Sequence, residues 1–209
     1  METTPRNPWF SMWLHPRRTI RQIVEADPGR LVLVLAAVGG IVEALTNATS
    51  DSQGDNLSLR TILLTALIAG PLMGIVGLWL GSILLRWTGG WIGGQADSRR
   101  IRTALAWANV PLLWSLILWG PALLLFGAEL FTTATPIIEA SSMFAGLYLV
   151  FSFGIGIFSL WAFVVLFHAL GEVQGFSAWR ALLNTILAIL AVAIPLIVLA
   201  LAMVWISRL

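Results

Sequence analysis

Five long apolar stretches with almost no ionic residue inside them dominate this chain. They cover residues 31–46, 62–85, 104–126, 143–170 and 182–206. Four of them exceed the about 18–20 residues that an α-helix needs to cross a hydrocarbon core of about 30 Å. The first is shorter, and it reaches that length only if Arg30 or Asn47 lies at the membrane interface. The pattern predicts an all-α fold, a polytopic membrane bundle of five transmembrane helices.

The composition agrees with a membrane protein and limits where chemistry could occur. Mean hydropathy is +0.90, and only 11% of the 209 residues are charged. The five spans and their connections use nearly all of the chain, so we expect no separate soluble catalytic domain. We divide the sequence into a cytoplasmic N-terminal amphipathic segment, residues 1–29, and a transmembrane domain, residues 30–209. No signal peptide is recognisable, so the first apolar stretch is expected to remain as a span.

The arginines are distributed unequally between the two sides of the membrane. One side receives the N-terminal segment, residues 86–102 and residues 171–180, with ten arginines in all. The other side receives residues 47–61, residues 127–142 and the C-terminus, with two arginines. Short basic segments stay in the cytoplasm. We therefore expect a protein of the cell inner membrane with its N-terminus inside and its C-terminus outside.

Tryptophans lie near both ends of the spans, where their amphipathic rings favour the headgroup level. On this basis we expect aromatic belts rather than ligand-stacking sites. The cytoplasmic belt would contain Trp87, Trp91, Trp107 and Trp179, and the outer belt Trp119 and Trp205.

An amphipathic pattern precedes the first span, over residues 8–26. Asn7 can cap a helix that starts at Pro8, and Pro16 can start a second helical piece. Three apolar residues share one face of that piece and three arginines the other, namely Ile20, Ile23 and Val24 against Arg17, Arg18 and Arg21. This predicts an interfacial helix on the cytoplasmic leaflet, with anionic lipids as partners. Packing of the helix onto the protein's own cytoplasmic loops is the alternative.

Four glycines in the second stretch are spaced to lie on one helical face, Gly70, Gly74, Gly77 and Gly81. Helices in lipid associate by close backbone approach, which small residues allow. The spacing predicts a helix-packing face. Its partner is either another span or a second copy of the protein, which would make a homo-oligomer.

Polar residues inside spans are costly and are candidates for function by default. His168 and Glu172 lie four residues apart on one face at the cytoplasmic end of the fourth span, and we expect Arg86 or Arg102 to pair with Glu172. The full candidate cluster is Glu43, Asn109, His168, Glu172, Arg86 and Arg102. It would serve either as a pH-responsive or transport-related site, or as a structural cluster that orders the helix ends.

Catalytic and metal-binding signatures are missing from the sequence. There is no Cys, there are only two His, and neither a GxSxG nor an HExxH pattern occurs. We therefore expect no catalytic residues, no cofactor and no metal. The arginines flank the spans, where they set orientation and meet lipid headgroups, so we expect no nucleic-acid partner.

Several short segments resemble one known membrane family. They are residues 7–10 (NPWF), 15–20 (HPRRTI), 84–94 (LLRWTGGWIGG), 101–107 (IRTALAW) running to Pro111, and 172–181 (EVQGFSAWRA). Together with five spans, they resemble a bacterial member of the Yip/YIPF family, the Ypt-interacting proteins. In eukaryotes the resemblance implies membrane-trafficking proteins that associate with Rab-type GTPases and with one another through a longer cytoplasmic domain, which has no counterpart in residues 1–29. It implies no catalytic residues.

The sequence therefore favours a non-enzymatic integral membrane protein that organises lipids or partner proteins. The alternative is a small transporter, channel or lipid-moving protein with a polar path between its helices, lined by Glu43, Asn109, His168 and Glu172. An intramembrane enzyme is a third, weaker interpretation.

Overall fold

The structure, a computed structural model, describes residues 7–207, and this part of the chain contains α-helices, short 3-10 turns and loops but no strand. The predicted all-α fold is confirmed. The helices are α1 Pro8–Leu14, α2 Pro16–Ala26, α3 Val32–Ser50, α4 Leu59–Trp91, α5 Ser98–Ala108, α6 Val110–Trp114, α7 Leu116–Phe126, α8 Pro136–Glu139, α9 Ser142–Gln174 and α10 Ala178–Ile206.

Four of these helices, α3, α4, α9 and α10, are long and apolar enough to cross a membrane. The predicted third span is broken: Ser98–Trp114 and Leu116–Phe131 meet at a 42° bend and make a fifth span only when taken together. The break has local causes. At the break, the Ser115 hydroxyl donates to the Leu112 carbonyl at 2.6 Å. Further along, inside α7, Pro121 has no N–H for the carbonyl of Ile117.

Side-chain caps fix where the long helices begin. Ser58, Asp97, Ser141 and Ser177 each accept a hydrogen bond from the backbone N–H three residues later, at the starts of α4, α5, α9 and α10. Such caps satisfy backbone donors that a helix N-terminus leaves without partners. The helix boundaries at both ends of the bundle are therefore set by local chemistry.

Helices α3 and α4 approach each other closely because glycines face one another. A Cβ added at Gly70 would lie 2.9 Å from the carbonyl oxygen of Gly40, and one added at Gly74 would collide with the carbonyl oxygen of Ala36. A Cβ at Gly81 would make only an ordinary contact with Leu105, at 3.7 Å, and one at Gly77 would meet nothing within 4 Å. The close contact thus involves Gly70 and Gly74, and Gly77 lies outside it.

The N-terminal helices pack on the bundle through their apolar sides. Met12 and Ile20 are fully buried, and they belong to one core cluster with Leu35, Trp107 and Val165. The side chains predicted to enter the membrane surface instead cover α5 and α9. The apolar face therefore packs on two helices of the bundle, whereas the alternative interpretation named cytoplasmic loops as the contact.

A second core cluster fills the other half of the bundle, around Val42, Trp119, Phe126 and Phe131. The connections at that end are tied by carboxylates. Asp55 accepts from the backbone and hydroxyl of Thr133 at 2.9 and 2.8 Å, and the Glu129 carboxylate accepts from two backbone N–H groups at the start of α8.

Replacing Gly74 with Leu should lower the stability of the folded protein by about 1–3 kcal/mol, because its side chain cannot fit against Ala36 without moving a helix. The matched control is Gly77→Leu, one turn further along α4, where the side chain meets open space. Unfolding of both variants in detergent by denaturant titration measures the difference. Equal stability of the two variants would contradict the close contact.

Candidate functional site

Charged side chains are segregated between the two ends of the bundle. The part formed by α1, α2 and the adjoining ends of α4, α5, α9 and α10 is called the basic end below. Its described residues include nine arginines and four carboxylates, whereas the opposite, acidic end has Arg60 with Asp51, Asp55, Glu129 and Glu139. The remaining described carboxylate, Glu43, lies within α3. The basic end carries Arg17, Arg18, Arg21, Arg30, Arg86, Arg99, Arg100, Arg102 and Arg180, with Glu25, Asp27, Asp97 and Glu172.

Glu172 is the centre of an ion cluster at the basic end. Arg21 Nε donates to one carboxylate oxygen at 2.7 Å, and Arg21 Nη2 lies 2.6 Å from the same oxygen. Arg17 Nη1 lies 3.9 Å from the other oxygen. Arg17 also donates to the carbonyl of Phe176 at 3.0 Å, just past the end of α9. These contacts join α2 to the last turn of α9.

Arg86 and Arg102 were the predicted partners of Glu172. In the structure, Glu172 instead pairs with Arg21 and Arg17. The Arg102 guanidinium lies over the ring of Trp79, 3.9 Å from its centroid, and Arg86 is exposed. Because α2 packs directly along the end of α9, its arginines reach Glu172 first. Assigning α2 to the membrane surface removed Arg17 and Arg21 from the sequence-based cluster.

The other candidate residues lie apart. His168 Nδ1 is 2.8 Å from the carbonyl of Val164, which holds the ring to its own helix rather than to Glu172. Asn109 packs against Gly39, where an added Cβ would lie 2.8 Å from its amide nitrogen. Glu43 is exposed on α3. Among these three residues and Glu172, the described part of the chain contains no hydrogen bond or ion pair from one to another.

A buried polar junction ties α4, α9 and α10 together, and sequence reasoning missed it. The Thr88 hydroxyl is 2.7 Å from the Asn184 side-chain oxygen, and the amide nitrogens of Asn184 and Gln174 both donate to the carbonyl of Leu85 at 3.1 Å. Thr88, Gln174 and Asn184 are each at most 1% exposed. The available signal was Asn184, an amide inside an otherwise apolar stretch.

The last turn of α4 and the loop that follows it are rich in Gly and Trp, and this junction shapes them. A Cβ at Gly89 would lie 2.5 Å from the Gln174 amide nitrogen, and one at Gly94 would collide with the Gln174 amide oxygen. The backbone of Gln95 donates to the carbonyl of Gln174 at 3.3 Å. The glycines therefore make room for a buried amide at the level where α9 ends.

The tryptophans divide into two groups. Trp87, Trp91 and Trp179 are 56%, 55% and 80% exposed at the basic end, as a belt requires. Trp107, assigned to the same belt, is buried and donates to the carbonyl of Arg30 at 3.2 Å. Trp119, assigned to the outer belt, is also buried, stacked near Phe131, and its indole N–H has no partner in the described part of the chain.

A polar cavity of about 200 Å³ opens at the basic end, between α2, α5 and the end of α9. A second concavity, of about 440 Å³, lies on the lipid-facing side of α9 and is almost wholly apolar. Neither is lined by Glu43, Asn109 or His168. In residues 7–207, no group of three or more His, Asp or Glu side chains is arranged to hold a metal ion.

Replacing Asn184 with Leu should destabilise the protein by about 1–3 kcal/mol, because the carbonyl of Leu85 and the hydroxyl of Thr88 lose a buried partner. Thr185→Val is the matched control, since that hydroxyl bonds only to Ala181 of its own helix. Denaturant unfolding in detergent compares the two. If both variants unfold like the wild type, the junction does not hold the bundle.

One family of known proteins matches most of this chain. The family model of the Yip1 domain matches residues 10–204, which include every membrane-crossing helix almost in full. No curated protein and no solved structure shows significant similarity to the chain. The match agrees with the resemblance of the motifs at the ends of the spans. The chain is thus a multi-pass integral membrane protein that belongs to the Yip1 domain family.

Proposed function

We propose that this protein is a non-enzymatic organiser of the inner membrane. Its basic end faces the cytoplasm, gathers anionic lipid headgroups and holds them beside a fixed protein surface. Other membrane proteins, including a second copy of the chain, pack against its exposed spans.

The separation of charge is the observation that carries this proposal. Nine arginines against four carboxylates leave a formal charge of +5 at the basic end, and the acidic end carries −3. Each basic side chain near an anionic membrane surface contributes about 1 kcal/mol of attraction. Most of these arginines are exposed, so they can meet headgroups without breaking contacts inside the protein.

The positions of the exposed tryptophans support placing these arginines at the level of the lipid headgroups. Trp91 ends α4 and Trp179 lies at the start of α10, on either side of the loops that carry the basic residues. Indole rings favour the membrane interface. Arginines at the same level would lie among the phosphates.

The spans also offer surface to partners. From Ile194 to Ile206 every residue of α10 is exposed, so half of this helix meets lipid or another membrane protein rather than its own bundle. Helix association in lipid depends on packing and on polar contacts. A partner span could therefore lie against α10 without disturbing the core.

A polar transport path is less well supported. Glu43, Asn109 and His168 line neither cavity described above, and apolar core clusters occupy the interior between them. Catalysis by an intramembrane serine has no better support, since the hydroxyls of Ser82, Ser115 and Ser159 donate to carbonyls of their own helices.

The test is a measurement of lipid preference in reconstituted bilayers. Quenching of tryptophan fluorescence by chain-brominated lipids gives the binding of phosphatidylglycerol relative to phosphatidylcholine. We expect a ratio clearly above one that falls toward one in about 1 M salt, where the screening length is about 3 Å. Arg18→Gln with Arg86→Gln should lower the ratio.

The control is Arg60→Gln, which removes an exposed arginine from the acidic end and should leave the ratio nearly unchanged, because the carboxylates at that end already repel anionic lipid. A ratio of one for the wild type at low salt would contradict the proposal.

A further inference from the structure

Neither the packing of the helices nor the net charge of the basic end gives a role to the polar cavity there. Three helices contribute its walls, and its lining consists of Arg21, Val24 and Glu25 from α2, Arg100 from α5, and Glu172 and Val173 from α9. A water molecule occupies about 30 Å³ in the liquid. A cavity of about 200 Å³ therefore holds a handful of waters or one small headgroup.

Among the described residues, only two of the four charged lining side chains form an ion pair with each other. Arg21 and Glu172 already bind each other at 2.6 Å. Arg100 and Glu25 remain, both exposed, and neither forms an ion pair with another residue of the described chain. The cavity thus has one available guanidinium on α5 and one available carboxylate on α2, and the side chains of Val24 and Val173 also line it.

This combination selects a class of ligand. A guanidinium suits the oxygens of a phosphate ester, with two parallel hydrogen bonds. A carboxylate suits an ammonium group that still carries hydrogens. A quaternary ammonium such as choline is instead recognised by aromatic faces, and no aromatic residue lines this cavity. A purely anionic headgroup would satisfy Arg100 but would share the cavity with the like charge of Glu25.

We propose that this cavity binds the phosphoethanolamine headgroup of a membrane lipid, with the phosphate on Arg100 and the ammonium on Glu25. Val24 and Val173 cover the two methylene groups between the charged ends. The inference rests on the proposed contact of the basic end with lipid, but it adds a preference for a zwitterion that net charge alone cannot produce.

The test is native mass spectrometry of the full-length protein in detergent, titrated with phosphatidylethanolamine, phosphatidylglycerol and phosphatidylcholine of identical acyl chains. We expect the wild type to bind phosphatidylethanolamine more tightly than phosphatidylcholine. Glu25→Gln should weaken phosphatidylethanolamine binding about tenfold, the effect of losing one charged hydrogen bond, and should not weaken phosphatidylglycerol. Arg100→Gln should weaken both.

Two control variants make the same charge changes elsewhere. The Arg99 guanidinium lies beside the turn at Asp27 and Gly29 rather than in the cavity, so Arg99→Gln should keep the preference for phosphatidylethanolamine over phosphatidylcholine. Glu139→Gln removes a carboxylate at the acidic end and should also keep it. The inference is overturned if Glu25→Gln weakens phosphatidylethanolamine no more than Glu139→Gln, or if phosphatidylcholine binds as tightly as phosphatidylethanolamine.

The outcomes separate this inference from the proposed function. A protein that prefers phosphatidylglycerol but treats phosphatidylethanolamine and phosphatidylcholine alike refutes the cavity and keeps the general attraction to anionic lipid. No preference at all refutes both. Soluble glycerophosphoethanolamine distinguishes the source of the ligand: if it displaces the bound lipid, the headgroup alone suffices, and if a selective lipid resists displacement, the site requires the intact lipid.

Discussion

Helices surrounded by lipid gain little from burying apolar side chains against one another, so this bundle depends on contacts of another kind. Two such contacts stand out. The backbones of α3 and α4 meet at Gly40, Gly70 and Gly74, and the buried side chains of Thr88, Gln174 and Asn184 join α4, α9 and α10. The C-terminal half of α10, from Ile194 to Ile206, has neither kind of contact, and all its residues are exposed.

The polar junction matters for function because of where it lies. It fixes the ends of three helices at the level where the arginines and exposed tryptophans emerge. The ion cluster of Arg17, Arg21 and Glu172 then adds α2 to the same assembly. An exposed ion pair contributes little stability by itself, so its role here is to position α2 and thereby to form one wall of the polar cavity.

The sequence was sufficient for the place of the apolar helices, since their length and lack of charge leave few other structures, but it did not reveal the break in the third span. The partners of individual polar residues were not predictable in the same way. Glu172 was assigned to Arg86 or Arg102 from membrane depth alone. In the structure, the docking of α2 determines which arginines reach Glu172, and that docking depends on how far α5 and α9 extend. Likewise, spacing put Gly77 on the packing face, whereas the crossing of α3 and α4 leaves it open.

The central claim is that α1 and α2 belong to the bundle and make the basic end a fixed surface. Hydrogen–deuterium exchange of residues 8–26 in nanodiscs tests it most directly, compared between neutral lipid and lipid rich in phosphatidylglycerol. The account predicts the same slow exchange in both, because Met12 and Ile20 stay buried against α5 and α9. Rapid exchange in neutral lipid that becomes slow only with anionic lipid would show that the helices bind the membrane surface instead, and would contradict it.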